Sequence, residues 1–87
     1  MAYETNSIDT NARQRIREFL ARFCPAGRLT DDLDVFASGF VNSMIAMQLV
    51  MFVEREFGFT LADEDLELKN FRTVDAIVAL VARRTAV

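Results

Sequence analysis

Ser43 has the clearest chemical potential of any residue in the chain, because it lies where a loop meets a long apolar segment. It follows Gly39-Phe40-Val41-Asn42 and precedes Met44. Ser and Asn are strong helix N-cap residues, since their side-chain oxygens accept from backbone N–H groups that the first turn leaves without partners. A phosphate attached to this hydroxyl would be stabilised by the same N–H groups and by the helix dipole. Ser43 is therefore either a simple cap or an attachment point for an anionic group.

The composition argues against catalysis by the chain itself. There is no His, which removes the commonest general base and excludes a Ser-His-Asp triad. The single Cys excludes an internal disulfide, and without His a zinc site is not expected. Asp31, Asp32 and Asp34 lack the spacing of an EF-hand, so they are interpreted as a solvated loop. We expect no catalytic residues and no metal site, and a protein that enzymes act upon.

Charge and hydropathy narrow the environments in which the chain can act. A net charge of −3 argues against nucleic-acid binding, which needs clustered Lys and Arg. No apolar run approaches the roughly 20 residues of a membrane span. The first residues lack the basic and apolar regions of a signal peptide. We therefore expect a cytoplasmic monomer that binds neither nucleic acid nor membrane.

Hydrophobic periodicity predicts an all-α fold, a four-helix bundle with three main helices, one short helix and a long first loop. The single domain is placed at residues 7–87, after a frayed N-terminus at residues 1–6. The main helices are predicted from Ser7–Asp9 to Phe23, from Ser43 to Phe57 with Gly58 as its C-cap, and from Thr73, its cap, to about Arg84.

Two connections complete the predicted bundle. The long connection from Cys24 to Asn42 carries several apolar residues, so it is expected to be held against the core. The short helix is a single acidic turn from Asp63 to Leu68, with Asp63 as its cap.

The predicted second helix carries more apolar surface than one core contact requires. One face is filled by Ala46, Leu49, Val50, Val53 and Phe57. A second stripe runs roughly opposite, and it consists of Met44, Met47 and Met51 interleaved with Gln48 and Arg55. Methionine suits surfaces that must fit several partners, so this stripe is interpreted as an exposed contact surface. Ile45 and Phe52, between the two faces, are expected to pack under the long loop near Phe36 or Phe40.

Several segments of the chain resemble the acyl or peptidyl carrier proteins of fatty-acid, polyketide and non-ribosomal peptide synthesis. The family pattern is Gly, two hydrophobic residues, Asp-Ser-Leu or Asp-Ser-Met, and then a helix that ends in Glu-x-x-Phe-Gly. The matching segments here are Gly39-Phe40-Val41-Asn42-Ser43-Met44, Glu54-Arg55-Glu56-Phe57-Gly58 and Phe71-Arg72-Thr73-Val74. The resemblance covers nearly the whole chain.

The resemblance implies a function for Ser43. In this family the serine carries 4′-phosphopantetheine, which a separate phosphopantetheinyl transferase installs from coenzyme A. The terminal thiol of the arm then holds an acyl or aminoacyl group as a thioester. The resemblance also implies that partner enzymes dock on the second helix, at Met44, Met47, Gln48, Met51, Glu54 and Arg55.

Two departures from the family pattern refine the expectation. Asn42 stands where Asp is usual, and Gln48 and Arg55 stand where Glu is frequent. These departures argue against general fatty-acid duty. The segment Phe36-Ala37-Ser38-Gly39-Phe40-Val41-Asn42-Ser43, with its Asn-Ser pair, resembles that of discrete carriers for unusual polyketide extender units of the methoxymalonyl, hydroxymalonyl or aminomalonyl type. The implied partners are then an acyl-loading enzyme, tailoring dehydrogenases and a synthase acyltransferase. The alternatives are a general fatty-acid or D-alanyl carrier, and a small helical adaptor without a prosthetic group.

Overall fold

Three α-helices and two short 3₁₀ helices make up the regular structure of the described part of the chain. The computed structural model describes residues 2–25 and 27–85, with side chains from Thr10 onward. The elements are α1 (Ala2–Leu20), α2 (Ser43–Phe57), the 3₁₀ helices Asp63–Asp65 and Leu68–Asn70, and α3 (Val74–Thr85). These residues form no strand, and the predicted all-α bundle is confirmed. Within the same residues, no helix has the length and apolar character needed to cross a membrane.

The core lies between α1 and α3, and α2 and the long loop cover it. Its buried side chains recur at helical spacing along each helix, as amphipathic helices require. They are Ala12, Ile16, Phe19 and Leu20 of α1, Leu49 and Val53 of α2, and Val74, Ile77, Val78, Leu80 and Val81 of α3. Cys24 is also buried at the end of the first helical segment, and burial raises the pKa of its thiol.

Helix α1 is displaced toward the N-terminus relative to its predicted bounds. It begins at Ala2, so the predicted start between Ser7 and Asp9 was wrong; the polar residues there include no Pro or Gly to interrupt a helix. It ends at Leu20 instead of Phe23, because the backbone tightens: Phe23 N donates to Leu20 O at 2.9 Å, three residues back. Met1 lies outside the described residues, and the fraying of residues 1–6 stays a prediction.

The acidic turn after α2 also differs from its prediction. Ala62, not Asp63, precedes the first 3₁₀ helix, and the Asp65 carboxylate accepts from Ala62 N at 3.1 Å. Asn70 Nδ2 donates to Asp65 O at 2.8 Å and thereby occupies a carbonyl that a longer helix would use. The single predicted helix over Asp63–Leu68 is therefore replaced by two 3₁₀ helices.

The long loop is held against the bundle, as predicted, and several of the bonds that hold it are made by Asp31. Its carboxylate accepts from Arg13 Nη1 at 2.9 Å and pairs with Arg17, while Asp31 O accepts from Asp75 N at 3.0 Å. Arg17 Nη2 also donates to Leu29 O at 3.1 Å. The loop is thus tied to both α1 and α3.

The interpretation of the acidic residues as a solvated loop therefore holds only for exposed Asp32. Asp31 and Asp34 are half-buried. Asp34 Oδ1 accepts from Phe36 N at 3.0 Å, and its other oxygen lies 3.6 Å from Arg72. Short carboxylate side chains commonly stabilise turns in this way.

Phe52 packs differently from its prediction. Its ring stacks on that of Phe19, with centroids 4.6 Å apart, and meets Phe57 edge-on at 6.4 Å. Phe52 therefore faces α1 and not the long loop, because the ring of Phe19 on α1 offers an aromatic surface on which it can stack. Ile45 is half-buried against the core.

Candidate functional site

The N-terminus of α2 is capped by Asn42, so Ser43 is the first helical residue. Asn42 has extended backbone angles (φ −112°, ψ −175°), and its Oδ1 accepts from Ile45 N at 3.0 Å. Its carbonyl accepts the first helical bond from Ala46 N at 2.8 Å. This arrangement is a side-chain cap of the usual kind. Asn42 is therefore the N-cap of α2, and Ser43 is not.

The Ser43 hydroxyl is available to an external group. The residue is exposed, and within the described part of the chain its Oγ makes no hydrogen bond. The backbone N–H groups of Ser43 and Met44 likewise have no acceptor among the described residues. The first turn of α2 contains no acidic residue. An anionic group joined to Oγ would meet free N–H donors and the positive end of the helix dipole, without a like charge in that turn.

The loop before Ser43 is a rigid support. Gly39 has a φ of 86°, a left-handed conformation that favours glycine, and its N–H donates to Phe36 O at 3.0 Å. Val41 N donates to Val35 O at 3.0 Å, and both valines are buried. Since Val41 lies only two residues before Ser43, the backbone that carries the hydroxyl is anchored to the core.

The second face of α2 is exposed, as predicted. Met44, Met47 and Met51 are 71%, 67% and 55% exposed, whereas Leu49 and Val53 on the opposite side are fully buried. Gln48 and Arg55 are exposed and complete the same stripe. We call Met44, Met47, Gln48, Met51 and Arg55 the Met face. Contiguous apolar exposure of this kind marks an interaction surface more often than chance.

Glu54 has a structural role that the sequence did not indicate. The side chain is half-buried, and its Oε2 accepts from Leu61 N at 2.8 Å. Glu54 O also accepts from the N–H groups of Gly58 and Phe59 at 3.0 and 3.3 Å, closing the end of α2 at the left-handed Gly58. Glu54 thus fixes the chain that leaves the helix, and its part in docking stays a prediction.

A groove between α1 and α2 adjoins the Met face, and the sequence did not predict it. Its volume is about 470 Å³. The lining residues are Arg15, Glu18, Phe19, Arg22, Gln48, Met51, Phe52, Arg55 and Glu56. The only signal for the groove was the pair Phe19 and Phe52, whose mutual contact depends on the packing of two distant segments.

Substitutions at Asn42 test the cap. Asn42→Ala should lower the free energy of unfolding by about 1 kcal/mol, because Ile45 N loses its acceptor. Asn42→Asp should keep the cap and gain up to about 0.5 kcal/mol, since a carboxylate lies at the positive end of α2. Urea unfolding of the three proteins measures both effects. Equal stability of Asn42→Ala and the parent would show that the cap contributes nothing.

Comparison with known proteins adds two matches. A family model described as "Phosphopantetheine attachment site" matches residues 13–81. The aminoacyl carrier protein of Agrobacterium fabrum (strain C58) is 33% identical over 66 residues, which cover 71% of this chain and 78% of that protein. No solved structure gave a significant match.

Proposed function

The chain belongs to the phosphopantetheine-attachment family, and from that premise we propose that Ser43 is the residue that bears the prosthetic group. The family is one of non-catalytic carriers, and the chain carries acyl groups on 4′-phosphopantetheine and is not itself an enzyme. One observation supports Ser43 most directly: its Oγ is exposed and makes no hydrogen bond to the described residues, at the first position of α2. The carrier domain is proposed to span residues 7–87, and the matched residues 13–81 support this.

The site fits a phosphodiester. The Ser43 and Met44 N–H groups and the α2 dipole favour a negative charge at Oγ. When bound, the arm supplies a thiol that holds the acyl group as a thioester. The chain supplies the hydroxyl, a backbone anchored by buried Val41, and the favourable electrostatics of the helix start. No base contacts Oγ within the described residues, so the proton must be removed by the phosphopantetheinyl transferase.

We further propose that the Met face is where partner enzymes dock. It begins one residue after Ser43, so an enzyme that covers Met44 and Met47 is placed beside the arm. Exposed methionines adapt to several partner surfaces, as a carrier that visits successive enzymes requires. Glu54 lies at the edge of this face. The proposed partners are the transferase, an acyl-loading enzyme, tailoring dehydrogenases and a synthase acyltransferase.

The proposed pathway is the synthesis of an unusual extender unit for polyketides or non-ribosomal peptides. Asn42 in place of Asp and an α2 surface with Arg55 and Gln48 support this over general fatty-acid duty. The similarity to a protein named as an aminoacyl carrier supports an aminoacyl cargo, of which an aminomalonyl group is one example.

Intact-mass measurement on the chain isolated from its native host tests the attachment of the prosthetic group and the proposed pathway. We expect a mass increase equal to one phosphopantetheine arm, plus an acyl group that hydroxylamine releases because it cleaves thioesters. The released group should be a substituted malonyl group or an aminoacyl group other than D-alanyl. A fatty-acyl or D-alanyl group would instead support the general-carrier alternative. A chain that never carries the arm would contradict the carrier function and favour the adaptor.

A further inference from the structure

We propose that the groove between α1 and α2 binds a carboxylate-bearing segment of a partner protein, in which an Asp or Glu side chain lies beside an apolar one. This inference deepens the proposed docking function and rests on it. It extends the docking surface from the Met face onto α1 and assigns the partner a charge. The structure supports it through the groove's apolar lining and its unpaired cations.

The apolar part of the groove is formed by Phe19, Met51 and Phe52. The two phenylalanine rings stack at 4.6 Å and join α1 to α2. Met51 belongs to the Met face and also lines the groove, and it remains 55% exposed. The Met face and the groove are therefore one continuous surface. An apolar side chain of a partner could bury itself against Met51 while a neighbouring residue reaches the groove.

The charges of the groove are only partly neutralised within the chain. Arg15 pairs with Glu56 across the two helices and also donates to Asn11 Oδ1 at 3.0 Å. Glu18 accepts from Gln14 Nε2 at 3.3 Å. Glu56 is therefore paired with a cation, whereas Glu18 accepts only from a neutral amide and keeps its charge. Three arginines and two glutamates leave the groove with a net charge of +1.

Arg22 and Arg55 remain, and neither contacts a carboxylate of the described residues. The guanidinium carbon of Arg22 lies 5.7 and 5.6 Å from the ring centroids of Phe19 and Phe23. This aromatic support restrains the side chain and leaves its N–H donors exposed. Arg55 is exposed on the adjoining helix. Two exposed guanidiniums beside one groove favour a carboxylate ligand, which an arginine can bind through two parallel hydrogen bonds.

The proposed partner segment carries the same sign of charge as the chain as a whole. With a net charge of −3, the protein as a whole attracts cationic partners. Preference for an acidic segment can therefore come only from a local excess of positive charge, such as the arginines of the groove. A second copy of this chain could in principle supply such a segment, since Asp63, Glu64 and Glu67 are exposed. The experiment below distinguishes a second copy of this chain from a different partner protein.

The test uses the unmodified full chain, labelled with ¹⁵N, and two short helical peptides. Both peptides have Leu and Ala at the same positions. Every remaining position is Glu in one peptide and Lys in the other. We expect the Glu peptide to bind about tenfold more tightly than the Lys peptide, with amide shifts concentrated at Arg22, Met51, Phe52 and Arg55. Added salt should reduce this preference. Arg55→Glu should abolish it, whereas Arg83→Glu, an equal charge change at an exposed position of α3, should leave it intact.

Three results would overturn the proposal. They are equal or tighter binding of the Lys peptide, shifts centred elsewhere on the chain, and no binding of either peptide. Concentration-dependent line broadening at the groove residues without peptide would assign the groove to a second copy and would also overturn it. Because this titration needs no prosthetic group, its failure leaves the attachment at Ser43 unaffected, and the mass measurement above decides that question separately.

Discussion

Replacing Ser43 by Ala is expected to abolish loading of the chain with phosphopantetheine. The proposed bond is formed by Oγ, and Ala removes that atom while preserving the backbone of α2. Incubation with coenzyme A, Mg²⁺ and a broad-specificity phosphopantetheinyl transferase should raise the intact mass of the parent protein by one arm. The mass of Ser43→Ala should not change. Because Ala is a good helix former and the position is exposed, the free energy of unfolding of Ser43→Ala should stay within about 0.5 kcal/mol of that of the parent.

Ser38→Ala is the matched control for this experiment. Ser38 lies in the loop that leads into Ser43 and is half-buried, and its hydroxyl donates to Val35 O at 3.1 Å. Its substitution should leave the modified fraction unchanged. Modification of Ser43→Ala to the same extent as the parent would show that another residue carries the arm. Loss of modification in Ser38→Ala, with an unchanged thermal melt, would show that the loop's internal bonds are needed by the transferase.

Replacing Leu49 by Ala is expected to have the largest effect on stability among substitutions in α2. The side chain is fully buried, so its truncation removes apolar contacts and leaves a cavity. Such substitutions cost about 2–5 kcal/mol, against a total of about 5–15 kcal/mol for a typical domain. Urea unfolding should show a much lower midpoint with a nearly unchanged slope. A loss below about 1 kcal/mol would contradict the assignment of Leu49 to the core.

Met47→Glu is the complementary substitution on the same helix. Met47 is 67% exposed, so the change should alter stability by no more than about 0.5 kcal/mol. It should nevertheless weaken association with the transferase, because a charge replaces an apolar contact at the centre of the Met face. Unfolding of the domain by this substitution would mean that Met47 belongs to the core and that the division of α2 into two faces is wrong.

The elements that could be predicted from the sequence are those with local signals. Asn42 and Gly58 bound α2 at the predicted residues, because a side-chain cap and a left-handed glycine act within one turn. Thr73 caps α3 in the same way, its Oγ1 accepting from Ala76 N at 2.9 Å. The exposure of the three methionines also followed from periodicity alone, since the other face already filled the core.

The features that could not be predicted depend on contacts between distant segments. Phe52 pairs with Phe19 across two helices, and nothing near either residue indicates the partner. Asn70 interrupts the acidic turn through a bond to Asp65 O that forms only when the chain bends back. Arg22 gains its place beside the groove from the same packing of α1 on α2. Local patterns hold no information on such contacts, so the groove could not be found before the structure.

The separation of the two faces of α2 has an evolutionary consequence. Leu49 and Val53 support the fold, whereas the neighbouring Met44, Met47 and Met51 contribute little to it. Mutations on the exposed side are therefore nearly neutral for folding and can accumulate without compensating changes in the interior. Descendants of one ancestral domain could in this way diverge toward new enzymes while keeping their thermal tolerance. Selection for a new partner and selection for a stable fold would then act on different residues of a single helix.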